Sequence, residues 1–204
     1  SDTIELKMRA GGREIEEVAT HTPGRLEFLV RSPGQRYRRL DGERLWITYG
    51  GGNRIRNFRA VTVSTLTERE RDAKKPAFPP ARTWSQDLAA EFDPVSGDLT
   101  SMHQWQNFRY EEGDRHARAD EAKMDPRKNR TVLSGGARVW DPSGSSSADT
   151  VELDQASGDF TAEGNVFATR SPDRKGPSSA MLSSEETTQG RATRMNSRES
   201  GALV

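Results

Sequence analysis

Three histidines, His21, His103 and His116, are the side chains best suited to proton transfer or metal ligation, and their spacing serves neither. No two lie at the short separations of a metal site, and the chain has no cysteine to complete a thiolate set. Carboxylates are more numerous. Glu91 with Asp93, and Glu152 with Asp154, alternate along extended segments beside Arg and Lys. That arrangement suits cross-strand ion pairs on a wet face better than a glycosidase pair. Gly144-Ser145-Ser146-Ser147 reads as a flexible loop and lacks the Gly-x-Ser-x-Gly elbow of a serine nucleophile. Gly50-Gly51-Gly52 lacks the spacing and the following helix of a phosphate loop. Arg36-Tyr37-Arg38-Arg39 and Arg127-Lys128-Asn129-Arg130 are basic runs beside turns, which read first as solvated loop charge. Tyr37 is their one aromatic, too few for a base-stacking track, so nucleic acid is a poor fit. The expected chemistry is non-covalent: no enzyme activity, no catalytic residue, no metal and no cofactor.

The elements that would hold these residues are strands. Apolar residues recur at every second position in Ile4/Leu6/Met8, Leu26/Phe28/Val30, Leu45/Ile47/Tyr49 and Leu88/Ala90/Phe92. The same period runs through Leu133/Gly135/Ala137/Val139, Val151/Leu153 and Phe160/Ala162/Gly164/Val166/Ala168. One hairpin recurs: Ala90 to Thr100 matches Val151 to Thr161 position by position, Ser1 to Leu6 repeats Ala148 to Leu153, and Arg44 to Phe58 is a looser copy. Asp93-Pro94-Val95-Ser96-Gly97 and Asp154-Gln155-Ala156-Ser157-Gly158 each put Asp at the turn start and Gly where positive φ is required. A second element, Met124 to Leu133, returns from Met195. Repeated hairpins predict a stacked β array in which neighbours complete one another's core.

Hydrophobic residues are 31% of the 204 and charged residues 30%, lean for a compact globule. Alternating strands reconcile that with folding, because half of each strand is free to be polar. Net charge is zero, so nothing pulls the chain toward nucleic acid or an anionic membrane, and no run is long enough to span a bilayer. The charged, Pro-rich stretch 68–82 divides an N-terminal β unit (1–67) from a C-terminal set of repeats (83–204). Stretches 141–147 and 171–179 lack pattern, and the chain reads as a piece of a longer protein cut within a strand.

Ala122-Lys123-Met124-Asp125, Val132-Leu133-Ser134-Gly135-Gly136-Ala137-Arg138-Val139-Trp140, Ala148-Asp149-Thr150-Val151 and Ala162-Glu163-Gly164-Asn165-Val166 follow in order. This succession resembles the OstA-like (LptA-like) domain of lipopolysaccharide-transport proteins, over 114–170 and again from 192. Residues 1–67 resemble a more distant unit, either another bridge repeat or the membrane-tethered, LptC-like component. In the earlier copy, His103-Gln104-Trp105 holds the slot of Gly164-Asn165-Val166, which predicts a narrower or capped groove there.

The resemblance implies an all-β, open twisted jelly roll (a β-taco) in the periplasm, with acyl chains in its interior. Lipopolysaccharide or a related glycolipid is then the ligand, and the partners are other bridge components or a second copy joined end to end through edge strands. The residues expected to line the groove are Ile4, Leu6, Leu45, Ile47, Ile55, Phe92, Leu99, Met124, Leu133, Ala137, Val139, Val151, Leu153, Phe160 and Val166. Arg36, Arg38, Arg127, Lys128 and Arg130 are candidates for phosphate or sugar contact at its mouth. Small inward residues (Gly135, Ala137, Ala162, Gly164, Ala168) would leave room for hydrocarbon. A dozen methylenes removed from water contribute roughly 10 kcal/mol at ~0.8 each, before ordering costs. The competing readings are a β-solenoid adhesin or polysaccharide-acting protein, and a purely structural oligomerising module.

Overall fold

The computed structural model describes residues 1–30, 36–68, 79–171 and 187–197. The expectations for 172–179, for 198–204 and for most of 68–82 fall outside these residues. The strands are β1 (Ile4–Met8), β2 (Ile15–Thr20), β3 (Gly24–Phe28), β4 (Arg38–Gly42), β5 (Arg44–Tyr49), β6 (Ile55–Thr67) and β7 (Ala81–Phe92). They continue with β8 (Leu99–Glu112), β9 (Arg115–Asp125), β10 (Arg130–Asp141), β11 (Gly144–Asp154), β12 (Phe160–Arg170) and β13 (Thr188–Ser197). All pairing is antiparallel, in one sheet ordered β1-β2-β5-β6-β7-β8-β9-β10-β11-β12-β13, with the β3–β4 hairpin attached through β4 to β6. β6 and β7 pair from Asn57↔Glu91 to Thr67↔Ala81, so the sheet runs unbroken from the N-terminal strands into the C-terminal ones.

The repeated turns form as their residues dictate. Asp93 accepts from the backbone N–H groups of Val95 and Ser96 at 2.9 and 3.0 Å, and Gly97 takes φ 78°. Sixty-one positions on, Asp154 accepts from Ala156 and Ser157 at 2.8 and 3.1 Å, and Gly158 takes the same φ of 78°. The Met124–Arg130 element becomes a single 3-10 turn, Pro126–Lys128, capped by the Asp125 carboxylate. Gly144 to Ser147 is not a loop. Asp141 closes a short turn by accepting from Ser143 and Gly144, and β11 begins at Gly144 with the hydroxyls of Ser145 and Thr169 bonded across the ladder at 2.9 Å.

Every long strand from β6 to β12 is creased near its middle. Register breaks between Trp105 and Phe108, between Ser134 and Ala137, and between Glu163 and Val166. Both inserted residues at each break have positive φ: Gln106 and Asn107, Gly135 and Gly136, Gly164 and Asn165. Left-handed backbone favours Gly and Asn, and a bulge bends the strand that carries it. Asp120 on β9 and Asp149 on β11 stand opposite these bulges. A Cβ on Gly135 or Gly164 would overlap the Asp120 or Asp149 side chain. Asn165 Nδ2 donates to both oxygens of Asp149, at 3.2 and 2.9 Å. In the N-terminal strands the crease passes through Thr62 (φ 52°), whose hydroxyl donates to Glu43 at 3.0 Å. There it severs a strand outright: β5 pairs with the first half of β6 and β4 with the second.

Residues from both sides of the crease meet. Ala122, Leu133, Val151 and Ala162 from one side share a buried cluster with Phe108, Ala117, Ala137, Ala148 and Val166 from the other. The sheet is therefore folded over along the bulge line, with its two halves face to face, and the result is an all-β, open jelly roll.

Candidate functional site

The inner lining can be read strand by strand from the register. One row of directly opposed residues crosses nine strands: Leu45, Ala60, Leu88, Gln104, Ala122, Leu133, Val151, Ala162 and Met195. Nearer the rim runs a second row, from Ile47 and Phe58 through Ala90, Met102, Met124 and Thr131 to Leu153 and Phe160. Across the crease they face a third row: Thr65, Thr83, Tyr110, Ala117, Val139, Ser146 and Ala168. The pleat alone produces these rows, since alternate residues share a face and ladder partners stand level.

Of the residues expected to line a groove, Leu45, Ile47, Leu133, Ala137, Val151 and Val166 are buried in the lining. Ile55, Phe92, Leu99, Val139, Leu153 and Phe160 are half-buried and pack against the two apolar clusters. Met124 is half-buried in the rim row. Ile4 and Leu6 lie on β1 with 54% and 56% of their surface exposed, because no folded-over half covers that edge.

Three features depart from strict alternation or from the matching of copies. Gly135 and Gly164 do not line the interior; they form the crease, and their missing Cβ makes way for Asp120 and Asp149 rather than for a ligand. The position equivalent to Gly164-Asn165-Val166 is Gln106-Asn107-Phe108, not His103-Gln104-Trp105, since the bulge in β8 lies three residues further along. On β9 and β11 the inward parity changes at Asp120 and Asp149, so the lining takes Ala117 and Ala119 before the crease and Ala122 after it. These alanines, with Ala148, Phe108 and Gln104, belong to the lining although strict alternation passes them over. The signal for them is the three-residue step from Ala119 to Ala122.

The polar candidates lie outside the lining. Arg127 pairs with Asp93 at 2.8 Å, Lys128 with Asp125 at 3.3 Å, and Arg130 with Glu152. Arg36 and Arg38 are exposed near the start of β4. His21 binds Glu5 at 2.8 Å, and His116 stacks on Trp140 with ring centroids 5.3 Å apart. His103 joins an outer-face cluster centred on Glu121, which receives His103 Nε2 at 2.7 Å, Lys123 Nζ at 3.0 Å and Ser134 Oγ at 3.0 Å. The ammonium of Lys123, then the His103 and Ser134 bonds, hold the Glu121 carboxyl down at about 2. Among the described residues no group of three His, Cys, Asp or Glu is placed to hold a metal ion. No helix there is long and apolar enough to cross a membrane.

Residues 95–159 match the family model described as LptA/(LptD N-terminal domain) LPS transport protein. This segment, about a third of the chain, is similar to the LptA/LptD N-terminal family. It runs from the β7–β8 turn to the β11–β12 turn, and so includes the Gln104–Ala122–Leu133–Val151 part of the inner row. No curated protein matches the chain. Among solved structures, one match is the crystal structure of LptH, the LptA homologous periplasmic component of the conserved lipopolysaccharide transport device from Pseudomonas aeruginosa. The TM-score is 0.48 at 10% identity, covering 75% of this chain and 93% of that one.

Proposed function

We propose that this chain is a non-catalytic segment of a lipopolysaccharide-export bridge, working in the periplasm and holding glycolipid acyl chains against its inner rows. The observation that carries this reading is the row crossing nine strands, apolar at every position but one, whose C-terminal part is folded over Phe108, Ala117, Ala137, Ala148 and Val166 of the other half. The two halves touch, since Ala137, Val151 and Ala162 are fully buried. Acyl chains therefore enter by parting the halves about the crease, where the left-handed Gly and Asn pairs bend most readily. The basic run 127–130 would contribute phosphate contacts only by exchanging Asp93, Asp125 and Glu152 for lipid phosphates, with Arg36 and Arg38 as further contacts. Neighbouring bridge segments, or a second copy, would add strands at the β1 and β13 edges. The purely antiparallel ladder gives no support to a solenoid of parallel coils.

The test is a charge at the rim. Leu153→Asp places a carboxylate at a half-buried position where a folded chain tolerates it and hydrocarbon does not. Glycolipid binding is expected to fall at least tenfold while the urea midpoint stays nearly unchanged. Photo-crosslinkers at Leu153, Phe160 and Met124 that capture no glycolipid in cells would sink the proposal.

A further inference from the structure

The inner row has one polar member, Gln104. It is 1% exposed and lies between Leu88 and Ala122. Its amide crosses the interior, donating from Nε2 to Thr83 Oγ1 at 2.9 Å and to Ser85 Oγ at 3.3 Å, on the other side of the crease. Thr83 Oγ1 bonds Thr65 Oγ1 at 2.6 Å, and Ser85 Oγ donates to the carbonyl of Asp87 at 2.9 Å. These hydroxyls extend the amide into a polar layer spanning the fold from one half to the other.

The apolar residues divide at this layer. Leu45, Ile47, Phe58, Val63 and Leu88 cluster on its N-terminal side, Leu133, Val151 and Val166 on its C-terminal side, and the two clusters are separate. A buried amide leaves its partners reluctantly, because hydrocarbon offers no replacement hydrogen bond. From this we infer that Gln104, with Thr83, Ser85 and Thr65, forms a bulkhead dividing the interior into two apolar compartments. Each hydrocarbon chain is confined to one compartment, and passage between them requires the Gln104 amide to let go. The inference rests on the lipid reading above and specifies the route within it.

A saturated hydrocarbon probe with a photoreactive group at each end tests this on the purified chain, with cross-linked peptides identified by mass spectrometry. In the wild type both ends should attach within one compartment, either near Ile47 and Phe58 or near Val151 and Ala162. Gln104→Leu, which keeps the volume and removes the amide, should raise attachments bridging the two peptide sets at least fivefold. Gln104→Met and Thr83→Val serve as independent variants, with circular dichroism and urea midpoints showing that each is folded. Bridging attachments as frequent in the wild type as in the variants overturn the bulkhead and leave the lipid reading intact, as does a folded set of variants without any increase. Absence of attachment in every protein overturns the lipid reading, and the bulkhead with it.

Discussion

The two ends of this sheet solve one packing problem with different side chains. Around the N-terminal strands the buried cluster is Leu40, Leu45, Ile47, Phe58, Val63 and Leu88 with two alanines among its eight members. Around β8–β12 six of the ten buried members are alanine. Large side chains fill the N-terminal cluster, and the crease there divides β4 from β5 while β6 and β7 run through it. Alanines let the C-terminal halves approach closely on continuous, bulged strands. A layer lined by methyl groups loses less apolar contact when it opens, at ~25 cal/mol per Å². On this argument the C-terminal compartment is the one that opens readily, and the N-terminal one acts as the anchor.

The largest expected effect tests that division directly. Leu88→Ala removes a fully buried side chain from the anchored cluster and should destabilise the chain by ~2–5 kcal/mol through lost contacts and a residual cavity. Ala162→Leu adds bulk to the alanine layer, where overpacking ordinarily costs ~1–3 kcal/mol. Because that layer can part, the cost should fall at the low end, with lipid binding blocked. Urea midpoints at unchanged slope measure both. Equal penalties would mean that the two layers are equally rigid, and the contrast would fail.

The crease itself gives a smaller pair of effects. Gly164→Ala forces a Cβ into left-handed backbone, costing ~1–2 kcal/mol, and pushes it against Asp149. Thr62 occupies the same region of backbone as a β-branched residue in the N-terminal strands, an unfavourable choice. Thr62→Asn should therefore be neutral or slightly stabilising, even with the bond to Glu43 altered. Thermal unfolding of the two variants reads the difference in sign. If both destabilise, the N-terminal crease is as exacting as the C-terminal one.

Much of this was legible beforehand, for reasons that lie in particular residues. Period-two alternation located the strands, and Asp-x-x-Ser-Gly located both turns, because side-chain capping and a glycine at positive φ are local requirements. The crease was misread because alternation counts Gly135 and Gly164 as inward, whereas their role depends on aspartates of neighbouring strands. The lining alanines were passed over for the same reason: a three-residue step at Asp120 and Asp149 moves the inward set to the other parity. Gln104 was noticed only as part of a departure from the repeat. Its partners Thr83 and Ser85 are about twenty residues away, and the layer they form exists only once the sheet has folded over. The basic run at 127–130 was recognisable as charge, but its carboxylate partners come from three different segments.

The last and smallest effect separates the two ends by acid. Lys123 above all, then His103 and Ser134, lower the Glu121 carboxyl from 4.5 to about 2. A carboxyl depressed in the folded state binds fewer protons there than in the unfolded chain, so its stabilisation is complete above pH 4.5. It is lost as pH falls from there through about 2. Solvent screens this half-exposed cluster, which keeps the contribution small. Glu121 stands on the outer face of the ladder whose inner face is the alanine lining, at Glu121↔Ser134 and Glu121↔Trp105. The other carboxyls held low, Asp93 and Asp125, also lie beyond β7. Amide hydrogen exchange between pH 4.5 and 2, corrected for intrinsic rates, should therefore show protection falling in β8–β10 before β5 and β6. Glu121→Gln should flatten that difference; equal loss of protection at both ends would show the sheet yielding as one unit.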